Sequence, residues 1–214
     1  ANAVRLRIEP LLDGWVSPMQ RGFLGGRSLL SNVVDVDEAM VRAALEREDG
    51  AAVFFDFKAA FPSVSQEFLL TILGHVGMPA SIRHFIQALY VENNCRLIVG
   101  SGDHEGFQLQ RGIRQGCPLS PLCFAIAADL LLRRLSRLLP SALHRAYADD
   151  LATVIHSLTM ALPVLVPLFD EYALLSGLCL NMPKTVIVPL QLGSPTRLAH
   201  KIRRDFPHWS GVHC

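Results

Sequence analysis

From residue 28 to residue 48, apolar side chains recur at helical spacing (Leu29, Leu30, Val33, Val34, Met40, Val41, Ala44 and Leu45), and Asp49-Gly50 closes the run. The pattern then shifts to a short aromatic and β-branched stretch over 51–57, which predicts a buried strand. Ser65 is placed to cap a helix reaching about His75, Gly77 ends it, and Pro79 suits the start of another helix toward Val91. Segments 95–99 and 106–110 flank Gly100-Ser101-Gly102-Asp103 and read as a hairpin. A long apolar helix is predicted over 119–138, with Arg133, Arg134 and Arg137 near its C-terminal end, where they suit the helix dipole. Segments 142–147 and 151–156 bracket Asp149-Asp150 in a second hairpin. A helix over 159–175 follows, its start delayed or kinked by Pro163 and Pro167, and then a short strand over 184–190. From 193 to 214, Pro, Ser, Arg and His accumulate without periodicity, which predicts an irregular or truncated tail. This order predicts an α+β fold, an antiparallel sheet with helices packed on one face.

Composition narrows the class. Half of the 214 residues are apolar and 18% are charged, so the chain can bury one core and is not disordered along most of its length. A net charge of +1 does not announce a nucleic-acid partner, yet acids gathered at one site and bases along a channel give the same balance. The most apolar stretch, 118–132, holds Asp129 and runs into Arg133-Arg134, which predicts a buried helix and no membrane span. The first residues lack a signal-peptide pattern, and the first methionine is Met19, so a fragment or processed product is expected. Five cysteines without a Cys-x-x-Cys pair predict reduced thiols in an intracellular protein, cytoplasmic or nuclear and not secreted. His200, His208, His213 and Cys214 match no familiar zinc spacing, and no P-loop or dinucleotide loop is present.

Two acidic positions carry candidate chemistry. Asp56 ends an otherwise apolar strand, where a lone carboxylate is costly to bury unless it is paired, hydrogen-bonded or metal-bound. Taken alone it is equally an Asp that caps the next turn or pairs with Lys58, just as Asp149-Asp150 alone is a solvated turn. Together, the two segments each place carboxylate at the end of an apolar strand, and the strands are candidates for neighbours in one sheet. Like charges about 4 Å apart repel by roughly 4 kcal/mol at an effective dielectric near 20. Converging carboxylates therefore require a strong positive charge, and hard oxygen donors suit Mg²⁺. Two such ions about 3.5–4 Å apart can activate an attacking hydroxyl and stabilise a leaving phosphate oxygen.

Phe55-Asp56-Phe57-Lys58-Ala59-Ala60-Phe61 and Tyr147-Ala148-Asp149-Asp150 resemble the two catalytic motifs of reverse transcriptases. Gln110-Arg111-Gly112-Ile113-Arg114-Gln115-Gly116-Cys117-Pro118-Leu119-Ser120-Pro121 is similar to the loop between them in non-LTR retrotransposons. Gln20-Arg21-Gly22-Phe23-Leu24-Gly25-Gly26-Arg27-Ser28 and Gly177-Leu178-Cys179-Leu180-Asn181-Met182-Pro183-Lys184-Thr185 resemble flanking motifs of the same enzymes, in the same order. The resemblance implies a polymerase palm over 51–192, with fingers-type helices inserted at about 65–92, partial fingers over 1–50 and no thumb. It implies RNA-templated DNA synthesis on two Mg²⁺ ions, Mn²⁺ being a substitute, with RNA template, DNA primer and dNTPs as partners. Asp56, Asp149 and Asp150 would be the catalytic, metal-holding acids, and Phe57 would lend its backbone carbonyl. Phe61 would be the steric gate against a ribose 2′-OH. Gln115 and Gly116 would pack against nucleotide and template, and Lys184 would meet the triphosphate. Arg27 would reach the triphosphate or only bond its own loop.

Pro62 departs from the family, which commonly has Asp after the gate aromatic, and predicts a reshaped turn. The chain on its own is expected to be inactive or feebly active, as a fragment of a retrotransposon polyprotein. Two other readings remain open at this level: another palm-type polymerase such as an RNA-dependent RNA polymerase, or a silent palm that binds nucleic acid or protein.

Overall fold

The computed structural model describes residues 1–46, 49–191 and 195–214. Its centre is β1 (Ala51–Phe55), whose small and β-branched residues fit a strand with neighbours on both edges. A four-stranded antiparallel sheet is ordered β4-β5-β1-β6, with β4 (Leu143–Tyr147), β5 (Asp150–Ile155) and β6 (Val186–Pro189). Val53 and Phe55 bury on one face beneath α6 (Ser120–Leu138) and α7 (Leu158–Ser176), and Phe55 lies 4.5 Å from Phe169 between ring centres. α7 is long and apolar enough to cross a membrane, but its Leu162, Leu165, Phe169 and Tyr172 are buried in this core. Helices α4 (Gln66–His75) and α5 (Ala80–Ala88) follow a short turn of helix, α3 (Ala60–Ser63). Ser65 caps α4 by accepting from the Phe68 amide, as its place in the sequence predicts. A separate hairpin pairs β2 (Asn94–Val99) with β3 (Gly102–Gln108).

Four expectations change. Helices cover both faces of the sheet, because α2 (Leu29–Glu46) lies on the second face and packs Ala43 and Met40 against Ala52 and Val154. The apolar residues that predicted this helix largely face solvent, Leu30, Val34, Val41 and Leu45 among them. The last two positions of that expected helix, 47 and 48, lie outside the described residues.

The prolines neither delay nor stop α7, since Asp49 fixes its start by accepting from the Thr159 amide and the Ser157 hydroxyl. An N-terminal helix, α1 (Asn2–Asp13), was not foreseen; it buries Ile8 and Leu12 despite an internal Pro10. Finally, the tail is ordered rather than irregular. α8 (Pro195–Asp205) buries Ile202, and Trp209 is fully buried edge-on against Phe55 and Phe169. His213 then pairs with the exposed edge of β6, exchanging hydrogen bonds with Ile187 and Thr185. The expected palm boundary at 192 and the first tail residues, 193 and 194, lie outside the described residues.

Pro62 sits inside the single turn of α3, where its missing N–H removes little from the helix. The turn after Phe61 is thus a helical one.

His144 on β4 is buried, with Nδ1 3.0 Å from the Thr153 hydroxyl. Burial holds its pKa down from 6.5 to about 4, partly opposed by the carbonyls of Leu139 and Leu135. A depressed histidine stabilises the fold fully above about pH 6.5 and loses that contribution as pH falls toward 4, about 3 kcal/mol in all. Thermal melts between pH 7 and pH 4 should show this loss, and His144→Gln should flatten it.

Candidate active site

Antiparallel pairing of β1 with β5 runs from Ala51 opposite Ile155 to Phe55 opposite Leu151. The next step of that register sets Asp56 beside Asp150 at the head of the β4–β5 hairpin, whose turn is Ala148-Asp149. Asp56 and Asp149 are half-buried and Asp150 is exposed. Partial desolvation of its carboxyl group first, then the charges of Asp149 and Asp56, raise the Asp150 pKa above the usual carboxylate value. The three acids singled out from sequence therefore share one electrostatic neighbourhood. As hard oxygen donors that repel one another, they fit a divalent cation in chemistry. Among the described residues, no three acidic, His or Cys side chains are drawn together closely enough to enclose an ion.

Asp56 and the turn that carries Asp149 are each held from outside the sheet by one of the flanking motifs. The Asp56 carbonyl accepts from the Asn181 amide at 2.7 Å, the Lys58 amide donates to the Cys179 carbonyl, and the Asp56 amide reaches the Thr185 hydroxyl. Phe57 is the pair left unbonded in this bridge with Leu180, so its own carbonyl turns to the opposite side, toward β5. The hairpin turn is held by the loop 15–27. Gly22 lies so close beneath it that a Cβ there would come within 2.1 Å of the Ala148 nitrogen. Only glycine permits that approach.

Phe61 is half-buried. Its ring stacks on Phe124 of α6 at 4.6 Å and meets Phe23 edge-on at 5.9 Å. Gln115 and Gly116 are exposed on the loop before α6, and Gly116 has φ +82° with open space where a side chain would stand. Its glycine is explained by that backbone angle. Lys184 is exposed, just after Asn181 on the segment that holds Asp56. The Arg27 guanidinium donates to the carbonyls of Val16, Ser17 and Gln20, so it bonds its own loop. Sequence reasoning assigned no role to Gln20, Gly22, Asn181 or Thr185, although their motifs were recognised.

Residues 1–201 match the family described as "Reverse transcriptase (RNA-dependent DNA polymerase)". The chain is 32% identical over 123 residues to the "Retrovirus-related Pol polyprotein from type-1 retrotransposable element R2" of Nasonia vitripennis, covering 57% of this chain and 12% of that protein. It is 29% identical over 184 residues to the corresponding polyprotein of the type-2 element R2DM of Drosophila melanogaster, covering 83% and 17%. Among solved structures it resembles telomerase from Candida albicans in complex with the TWJ fragment of telomeric RNA, with TM-score 0.65 and 15% identity over 90% of this chain and 34% of that one. Telomerase from Candida tropicalis, bound to the same kind of fragment, gives TM-score 0.67 at 15% identity, covering 90% and 33%. The chain thus spans under a fifth of these two polyproteins and about a third of the solved chains.

A carboxylate with a raised pKa is strained by its own charge, so it destabilises the fold once pH rises through that pKa. In EDTA, Asp150→Asn should therefore raise the melting temperature at pH 7. The gain should disappear as pH falls below the carboxylate range.

Proposed function

Because the chain belongs to the reverse transcriptase (RNA-dependent DNA polymerase) family and has its α+β palm fold, we propose that it carries the polymerising centre of a non-LTR retrotransposon protein, copying RNA template into DNA from a DNA primer. The observation that carries this reading is the β1–β5 register, which sets Asp56 beside the Asp149-Asp150 turn and lets the charges of Asp56 and Asp149 act on Asp150.

Asp56 and Asp149 would hold the divalent cations on which catalysis by this family depends, Mg²⁺ with Mn²⁺ as substitute, and Asp150 would add charge beside them. Bound there, the ions would supply Lewis-acid stabilisation of the charge that develops during phosphoryl transfer. The reaction joins the primer 3′ oxygen to the α-phosphorus of a dNTP, breaks the α–β phosphoanhydride bond and releases pyrophosphate. The chain's own part is mostly alignment, as phosphoryl transfer asks little covalent chemistry of a protein. The Phe57 carbonyl faces the side on which the acids gather and would add a neutral oxygen. Phe61 would exclude a ribose 2′-OH by clash. Its stacking on Phe124 supports that role, because a gate must not yield. Gln115 and Gly116 would lie along the nucleotide and template, where an open backbone suits close approach. Lys184 would meet the triphosphate, and Arg27 would act at one remove by bracing the 16–20 loop. RNA and dNTPs are intracellular substrates, so the proposal includes an intracellular setting.

With Mg²⁺ present, the chain should bind dNTP, and EDTA or Asp149→Asn should abolish that binding. In templated primer extension by the parent protein, Asp56→Asn and Asp149→Asn should each lower the rate at least about a hundredfold. Phe61→Ala should raise rNTP incorporation relative to dNTP. Binding that is indifferent to EDTA and to Asp149→Asn would favour the silent palm instead.

A further inference from the structure

β4 is an edge strand, and residues 19–21 cover its edge as a short parallel partner. The Ala146 amide donates to the Met19 carbonyl and the Arg21 amide donates to the Ala146 carbonyl, each at 2.8 Å. Two residues further along, at Ala148, the covering main chain has turned away into Gly22, yet the pairing continues. The Gln20 side-chain amide donates from Nε2 to the Ala148 carbonyl at 3.0 Å, and its Oε1 accepts from the Ala148 amide at 3.0 Å. The same Oε1 accepts from the Gly22 amide at 2.8 Å. Gln20 is fully buried. A primary amide carries the same donor and acceptor as a peptide group, so Gln20 extends the ladder past the end of the strand.

Ala148 is held in a conformation it does not prefer. Its φ is +60°, the left-handed region that favours glycine, and it immediately precedes Asp149. Such a residue keeps that angle only where its surroundings fix it. Gln20 fixes both of its peptide polar groups, and Gly22 closes the space beneath its nitrogen. The clamp is itself anchored on α6. Asp129, fully buried, accepts from the Ser17 amide and from Arg133, and Arg133 stacks over the Trp15 ring and donates to the Trp15 carbonyl.

We infer that Gln20 is the positioning residue of the catalytic turn, acting through Ala148 to set where the Asp149 carboxylate stands. It does not touch substrate. The inference rests on the proposed metal-holding role of Asp56 and Asp149. It adds that the orientation of Asp149 depends on a side chain that lies 128 residues before Ala148 in the chain.

The test is Mn²⁺ binding to the purified chain, followed by the electron paramagnetic resonance of the free ion, with amide hydrogen exchange at Ala148. Gln20→Met, near in volume but without the amide, should expose the Ala148 amide to exchange while Thr153 in β5 stays protected. It should also weaken Mn²⁺ binding by about ten- to a hundredfold, the usual effect of losing a group that orients a metal ligand. Asn32→Leu is the control. Asn32 is buried and donates to the Ala146 carbonyl in the same strand, so its loss should lower the melting temperature without changing Mn²⁺ affinity. If Gln20→Met does not fold, Gln20→Asn, whose amide is one methylene short, reads the same two quantities. Wild-type Mn²⁺ affinity in a folded Gln20 variant, or an equal loss in Asn32→Leu, would overturn the inference. Asp149→Asn keeps the two failures apart. If that variant binds Mn²⁺ as wild type does, the metal-site reading itself falls; if it loses the ion while Gln20→Met keeps it, only the role of Gln20 falls.

Discussion

Carboxylates on adjacent strands repel, and the chain nevertheless sets Asp56 next to Asp149 and Asp150 through the hydrogen-bonded register of β1 and β5. A sheet can enforce such a juxtaposition because a slip of one residue would turn Val53 and Phe55 out of the core. Burial of those side chains, a few kcal/mol for the pair, outweighs the repulsion of partly solvated charges, which water and salt screen. The hydrophobic register therefore decides where the charges stand. The β1–β5 ladder ends at Phe55 opposite Leu151, however, and beyond it Asp56 would be free to separate from the turn that carries Asp149.

Two flanking segments supply the missing restraint. Residues 177–185 grip the backbone on both sides of Asp56, and residues 15–27 grip the turn that carries Asp149. A single internal hydrogen bond contributes only about 1 kcal/mol net, but leaving a buried donor or acceptor without a partner costs more. Buried Gln20 and Thr185 are each engaged by more than one bond, so displacing either segment would strand several polar groups at once. Small individual energies thus yield a stiff site. Asp35 adds a tie from the second face, its carboxylate bridging Arg21 of the loop and Arg145 of β4 and held below the usual range chiefly by Arg145.

Local pattern was enough to find most elements. Ser65, Gly77 and Pro79 delimit α4 and α5 because caps and breakers act within a few residues, and the aromatic stretch before Asp56 could only be a buried strand. The acids themselves were legible for the same reason. What holds them was not, since Gln20 finds its partner 128 residues later and the Asp56 amide finds Thr185 after 129. No periodicity encodes such pairings. The ordered tail was a different failure: Leu198, Ile202 and Phe206 do recur every fourth residue, but the basic residues around them obscured the stripe. α1 carries the same four-residue repeat in Val4, Ile8 and Leu12, masked by Pro10.

The loop that holds the hairpin turn also carries Phe23, whose ring meets Phe61 edge-on. Phe61 in turn stacks on Phe124 of α6, the helix whose Asp129 and Arg133 anchor the loop's other end. Helix, Phe61 and loop thus form a closed circuit of contacts, to which the turn that carries Asp149 is joined through Gln20. In a close-packed interior, a shift in one member is passed to its neighbours rather than absorbed. The seating of the Phe61 ring and the placement of Asp149 are for that reason mechanically joined. A substitution that loosens the loop should be read as acting on both, whereas one confined to the exposed Gln115–Gly116 surface lies outside this circuit and leaves the acids in place.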